Sequence, residues 1–248
     1  MRHVSKFVAA AAGLACAAGL AFAADQTILG KSLTVKQKPG DATSRKITGS
    51  AKEKGSSNTF VGDPTVASAN PNSPGGAFLD IFANGANSTS QRFALPNGSW
   101  KASGPNAFKY KGTSGAVKSV TIKRTPSGNF SIKAKILGKG GPVDVVPPNP
   151  GDSGCMALLL KNGASDGDRY SVQFGPESQI KNSADKSFKA KKPTAEGVCP
   201  VPGSTTTTTT VVTTTIVTTT TPTSTTTSTT TYGSPSRAFM ATPVDLLD

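Results

Sequence analysis

From Asp25 to Pro200 the apolar and polar residues of this chain alternate, and no stretch sustains the three-to-four-residue spacing of a helix. Leu33 and Val35 stand between polar neighbours ahead of the turn Lys38-Pro39-Gly40-Asp41. Gln91 to Leu95 alternates and stops at Pro96-Asn97-Gly98. Ser119 to Lys123 and Phe130 to Ile136 alternate on either side of Thr125-Pro126-Ser127-Gly128, and Tyr170, Val172 and Phe174 alternate with Ser171 and Gln173. Two apolar runs, Ala77 to Ala83 and Met156 to Lys161, each close on Asn-Gly, the favoured hairpin turn. A period of two puts successive side chains on opposite faces of a strand, so such a chain must build sheets with one buried and one solvated face. With 26 Gly and 18 Pro to punctuate the pattern, the expected fold is an all-β sandwich over residues 24–200.

The ends are of a different kind. Arg2, His3 and Lys6 precede an Ala-rich apolar stretch, Phe7 to Leu20, and Ala21-Phe22-Ala23 supplies an A-x-A cleavage signal. Residues 1–23 are therefore expected to be a secretion signal cut before Ala24. No other segment is long and apolar enough to span a membrane. Residues 201–231 are the Thr-rich tract: Ser204 to Thr231 is 28 residues with 20 Thr, 3 Ser and no charge. It lacks the large side chains needed to offset chain ordering, and is expected to be a disordered stalk or linker of the O-glycosylated kind. Residues 232–248 are expected to be a disordered terminus rather than a docking segment. The expected location is secreted: extracellular, cell-surface or periplasmic. Two cysteines remain after the signal, Cys155 and Cys199. In an oxidising compartment they are expected to pair, with two free thiols as the alternative.

An internal similarity runs through the domain. Gly76-Ala-Phe-Leu-Asp-Ile-Phe-Ala-Asn-Gly-Ala leads to Gln91-Arg-Phe-Ala-Leu, and Gly154-Cys-Met-Ala-Leu-Leu-Leu-Lys-Asn-Gly-Ala leads to Arg169-Tyr-Ser-Val-Gln-Phe. Each copy later reaches Phe-Lys-x-Lys, at Phe108 and at Phe188. The pattern suggests a duplicated β unit, whose halves would pack as similar layers of one sandwich; shared hairpin composition is the alternative.

Several chemistries are excluded or poorly supported. The single histidine, His3, lies in the expected signal, so the mature chain has none for a triad, a metal or acid–base work. Gly151-Asp152-Ser153-Gly154 matches the string around a serine-protease nucleophile, but it lacks a His base and follows Pro147-Pro148-Asn149-Pro150, so a connecting loop is expected there. Asn162, Asp166 and Asp168 offer oxygens in a Gly-containing segment, yet the spacing is not that of a calcium loop, and a solvated hairpin loop is expected. No metal and no cofactor is expected. A polysaccharide-acting hydrolase, the rival functional reading, would require two of Asp63, Asp80, Asp144 and Asp152 to converge in a cleft. Trp100 offers a sugar platform, although a lone Trp is more often core.

The strongest physical signal is charge. Residues 24–200 hold 24 basic against 12 acidic residues, and 20 of the basic ones are Lys. Lys109 and Lys111, Lys133 and Lys135, and Lys189 and Lys191 each share one face of a strand, opposite the apolar side chains. On neighbouring strands they would line a sheet face suited to an anionic polymer. The alternative is a solvated face that discourages edge association. The scarcity of Arg (Arg45, Arg92, Arg124 and Arg169) and of aromatics argues against specific nucleic-acid reading.

The strings Phe108-Lys-Tyr-Lys, Ala116-Val-Lys-Ser-Val-Thr-Ile-Lys, Phe130-Ser-Ile-Lys-Ala-Lys, Arg169-Tyr-Ser-Val-Gln-Phe-Gly and Phe188-Lys-Ala-Lys-Lys-Pro through Cys199 resemble exported β-domain proteins of environmental bacteria, often with Thr-rich tails. The similarity covers roughly Ile28 to Pro200. It implies export and β architecture and no reaction. In that group the position of Ser171 is often Cys, paired with the equivalent of Cys199. This chain departs from that pattern, leaving Cys155 as the candidate partner. The expected function is a non-catalytic surface or extracellular interaction module that contacts anionic envelope or extracellular polysaccharide through its Lys-rich face.

Overall fold

A computed structural model describes residues 24–201 apart from 71, 73 and 74. The expected signal, nearly all of the Thr-rich tract and the C-terminal segment lie outside the described residues. The strands are β1 (Asp25–Thr27), β2 (Gly30–Lys38), β3 (Asp41–Glu53), β4 (Gly76–Gly85), β5 (Thr89–Pro96), β6 (Trp100–Ala102), β7 (Ala107–Lys111), β8 (Val117–Arg124), β9 (Phe130–Leu137), β10 (Gly151–Asn162), β11 (Ser165–Phe174), β12 (Gln179–Ser183) and β13 (Ser187–Lys191). They form a five-stranded sheet, β1-β11-β10-β4-β5, and an eight-stranded sheet, β12-β13-β2-β3-β9-β8-β7-β6. The all-β sandwich is as expected. Among the described residues no helix is long and apolar enough to cross a membrane.

Alternation decides what each strand buries. On β9 Phe130, Ile132, Ala134 and Ile136 face inward, while Lys133 and Lys135 face water. Leu33, Val35, Ile47, Val120, Ile122 and Phe188 extend this inner face across the large sheet. Leu79, Ile81, Met156, Leu158, Tyr170 and Phe174 meet it from the small sheet. Phe60, from the long connection between β3 and β4, packs on Phe108, Phe130 and Tyr170 and so bridges the two layers. Gly49 of β3 makes room for this packing: a Cβ there would stand 2.4 Å from the sulfur of Met156, which would have to shift.

The two similar strings fold as corresponding hairpins, but their arrangement differs from expectation. The hairpins β4–β5 and β10–β11 do not form separate layers; they lie side by side in one sheet, joined by antiparallel β4–β10 pairing. Their later basic strands, β7 and β13, lie near opposite ends of the large sheet. There β6-β7-β8-β9 and β12-β13-β2-β3 run inward from the two edges and meet at the antiparallel β9–β3 pair. Each half therefore contributes to both layers about an approximate two-fold axis. That axis passes through the pair Leu158–Leu79 in one sheet and Gly49–Ala134 in the other. The string alignment of Gly76 with Gly154 is off by one residue, since it would set inward Leu79 against outward Ala157. A one-residue slip exchanges the faces of a strand.

The segment after β13 returns across the outside of the small sheet. Cys199 forms a disulfide with Cys155 of β10, with a Cα–Cα distance of 5.7 Å. The bridge is buried against Phe82 and Ala157. Arg169 donates to the carbonyls of Cys199 (2.9 Å) and Pro200 (2.8 Å), and to the hydroxyl of Ser171. The pairing expected from the cysteine count is thus present, with Ser171 buried close by.

Candidate functional site: the outer face of the eight-stranded sheet

The face of the large sheet turned away from the core carries lysine on every strand. From edge to edge these include Lys181 on β12, Lys189 and Lys191 on β13, Lys36 on β2, Lys46 and Lys52 on β3, Lys133 and Lys135 on β9, Lys123 on β8, Lys109 and Lys111 on β7, and Lys101 on β6. Cross-strand register sets them in rows. One row runs Lys181, Lys189, Thr34, Thr48, Lys135, Ser119, Lys111. The next runs Gln179, Lys191, Ser32, Ser50, Lys133, Thr121, Lys109, Lys101. Strand spacing is about 4.8 Å, so ammonium groups within a row stand roughly 5–15 Å apart with hydroxyls between them.

Two features make this a charged surface rather than an ion-pair lattice. No Asp or Glu occupies these rows, and among the described residues none of these lysines forms an ion pair. Like charges therefore act on one another. Lys189 is pulled below the ordinary lysine value, first by its contact with the Lys191 ammonium and then by the charges of Lys191, Lys36 and Lys181. Shallow grooves mark the surface. One of about 210 Å³ is lined by Thr34, Lys36, Lys46, Thr48 and Lys189, and one of about 300 Å³ by Lys31, Ser50, Lys52, Ser131 and Lys133 among others.

All six lysines singled out from the sequence lie on this face, but not on neighbouring strands. β8 separates β7 from β9, and β2 and β3 separate β9 from β13. Lys189 and Lys191 are half-buried, whereas the other four are exposed. Sequence reasoning missed Lys36, Lys46, Lys52, Lys101, Lys123 and Lys181. For two of them a signal existed: Lys31-Ser-Leu-Thr-Val-Lys36 on β2 and Lys118-Ser-Val-Thr-Ile-Lys123 on β8 match at four of six positions and differ only between apolar residues.

The remaining candidates are placed elsewhere. Gly151-Asp152-Ser153-Gly154 is not a connecting loop but the start of β10, where the Ser153 hydroxyl donates to Asp152 (2.8 Å). Asp166 and Asp168 do not sit in a hairpin loop, because β11 already begins at Ser165. Asp166 is paired with Lys161 at 2.8 Å. Trp100 is buried, donating to the carbonyl of Leu95 (3.2 Å) and packing on Tyr110.

Of the four acids, Asp63 accepts from the amide and hydroxyl of Thr65, and Asp152 from Ser153. Asp144 lies in the β9–β10 connection, its amide donating to Gln91. Asp80, in the middle of an apolar run, is 1% exposed. Its carboxylate takes two hydrogen bonds from Arg92, at 2.7 and 2.9 Å, and lies 3.8 Å from Arg169. The hydrogen bond to Asp80 raises the Arg92 guanidinium above its usual value. Beside it a cavity of about 360 Å³ is lined by Asp25, Arg92, Asp166, Arg169 and their neighbours, and by none of Asp63, Asp80, Asp144 and Asp152. Among the described residues no three His, Cys, Asp or Glu side chains cluster closely enough to hold a metal ion.

Comparison with protein-family models, with curated proteins and with solved structures found no match.

Proposed function

We propose that this chain is an exported, non-catalytic interaction module that binds acidic polysaccharide of an envelope or extracellular matrix across the outer face of its eight-stranded sheet. The observation that carries the reading is the presence of lysine on all eight strands of that face, with no acid in its two rows and, among the described residues, no ion pair to neutralise it. An open sheet of point charges interleaved with hydroxyls matches a ligand whose charges recur along a chain. Lys, unlike Arg, imposes no planar bidentate geometry, and so suits a polymer read by charge density. The aromatics that would stack on bases, Trp100 and Tyr110, are in the core instead. A disulfide and the leader-like first 23 residues fit an exported protein.

The test is retention of the mature chain on a heparin matrix and on isolated acidic envelope polysaccharide, each run at low and high salt. The reading expects strong retention at low ionic strength that collapses as salt approaches a few tenths molar. Retention that does not change with salt removes the electrostatic basis.

A further inference from the structure

The carboxylate of Asp168 is fully buried, and among the described residues it has no Lys or Arg partner. Its Oδ2 is crowded with neutral donors: the Gln26 amide, the Thr59 hydroxyl (2.8 Å), the Val61 amide (3.0 Å) and the Tyr170 hydroxyl (3.5 Å). The phenol of Tyr170 is itself pushed well above its ordinary value, by burial first and by the charge of Asp168 second, so it supplies a neutral donor and no countercharge. The Arg169 side chain, one residue on, is turned to the other face of β11, toward Asp25, Asp80 and Ser171. A buried charge without an opposite charge is costly.

One group remains. Oδ1 accepts from a single donor among the described residues, the backbone nitrogen of Ala24 at 3.1 Å. Ala24 is also held from the other side, its carbonyl accepting from the Arg169 amide at 2.9 Å, and β1 then runs parallel to β11 from Asp25. Ala24 is the residue that follows Ala21-Phe22-Ala23. We propose that this chain is processed at the Ala23–Ala24 bond, and that Asp168 is the receptor for the α-ammonium group so created.

In this step a leader peptidase adds water across that bond. Ala23 leaves with the carboxylate, and Ala24 takes up the proton that makes its amine an ammonium. The N–H···O bond already present between Ala24 and the Asp168 carboxylate then becomes an ammonium–carboxylate ion pair, and the buried carboxylate gains its countercharge. Asp168 also fixes Gln26, Thr59 and Val61. Processing would thus tie together β1, β11 and the loop that carries Phe60 between the sheets.

The mass of the exported full-length product decides the first point: a chain beginning at Ala24 is expected, and any other N-terminus overturns the assignment. For the second, the mature chain is compared in urea with the same chain extended by Gly-Ser before Ala24, which keeps the N–H but not the charge. The mature chain is expected to have an unfolding constant smaller by about tenfold or more, the scale of a hydrogen bond to a charged group. In Asp168→Asn the two should unfold alike. Equal stability in the parent pair, or a difference that persists in Asp168→Asn, overturns the proposal. If Asp168→Asn does not fold, acylation of the native mature chain by a succinimidyl ester decides. The α-amine should resist while the lysines of the large sheet react. An α-amine that reacts as fast as in urea refutes the pairing. None of these readouts depends on polymer binding.

Discussion

Replacing Asp80 with Asn removes one charge from a buried ion pair of the small sheet while keeping its size. Asp80 lies on β4 directly opposite Arg92 of β5, and the two make a bidentate pair at 2.7 and 2.9 Å. Its second neighbour, Arg169, is 7% exposed and has a buried Nε with no partner. Without the carboxylate, Arg169 keeps only carbonyls, the Ser171 hydroxyl and Asp25, which is half-exposed and 3.6 Å away. Breaking one side of a buried pair costs about 3–5 kcal/mol. The Arg92 side chain is 34% exposed and can turn to water, so the lower end applies, about 3 kcal/mol. With a urea m-value of about 2 kcal/mol/M for a domain of this size, the midpoint should fall by about 1.5 M with an unchanged slope. The assay is equilibrium urea unfolding with the disulfide intact, in a cycle with Arg92→Ala. An Asp80→Asn midpoint within about 0.3 M of the parent, or additive single mutants, would refute the reasoning that this carboxylate organises the outer face of the small sheet.

Other outcomes follow from single features. Reducing the Cys155–Cys199 bridge, whose cysteines are 44 residues apart, frees a loop worth about 4 kcal/mol in the chain-entropy model; thermal unfolding with and without reductant should show a large drop. Leu158→Ala, at the approximate two-fold axis and fully buried, should cost about 2–5 kcal/mol in urea titration. Glu53 is raised above the ordinary carboxylate value, by burial first and also by Glu196 nearby, and one of its oxygens is buried without a partner. Its ionisation therefore works against folding at neutral pH. Glu53→Gln should stabilise by less than about 1 kcal/mol at pH 7. That gain should shrink as pH falls through the raised folded-state value toward the unfolded one and Glu53 itself becomes neutral, so stability curves at pH 7 and pH 3.5 check the sign.

The strand content was legible because each inner position had to be apolar and each outer one had to tolerate water. The period-two segments at Leu33, Gln91, Ser119, Phe130 and Tyr170 all became strands. What alternation cannot carry is the pairing order, which is set by contacts between residues far apart in sequence. The six lysines were therefore placed on a common face correctly but on neighbouring strands incorrectly. β1 and β6 hold three residues each, too few for any period to show. The repeat was visible as strings, yet string matching is blind to faces and aligned β4 with β10 one residue out. Asp80 was hidden inside what reads as an apolar run. Its partner Arg92 is the cross-strand residue in a hairpin whose turn lies at Ala86-Asn87, just past the expected Asn84-Gly85, which ends β4; the pair becomes predictable only once that register is known.

The claim that the large sheet's outer face is the binding surface is tested most directly by two triple variants of equal charge. One neutralises Lys109, Lys133 and Lys191 on the face, and the other neutralises Lys54, Lys139 and Lys186, which lie off the rows. All six changes are Lys→Gln, and affinity for an acidic polysaccharide is measured across a salt series. The account predicts that the face variant loses most of its affinity, with a shallower dependence of log K on log salt, while the off-face variant stays near the parent. Equal losses in the two variants would mean that net charge alone is being read, and would contradict it.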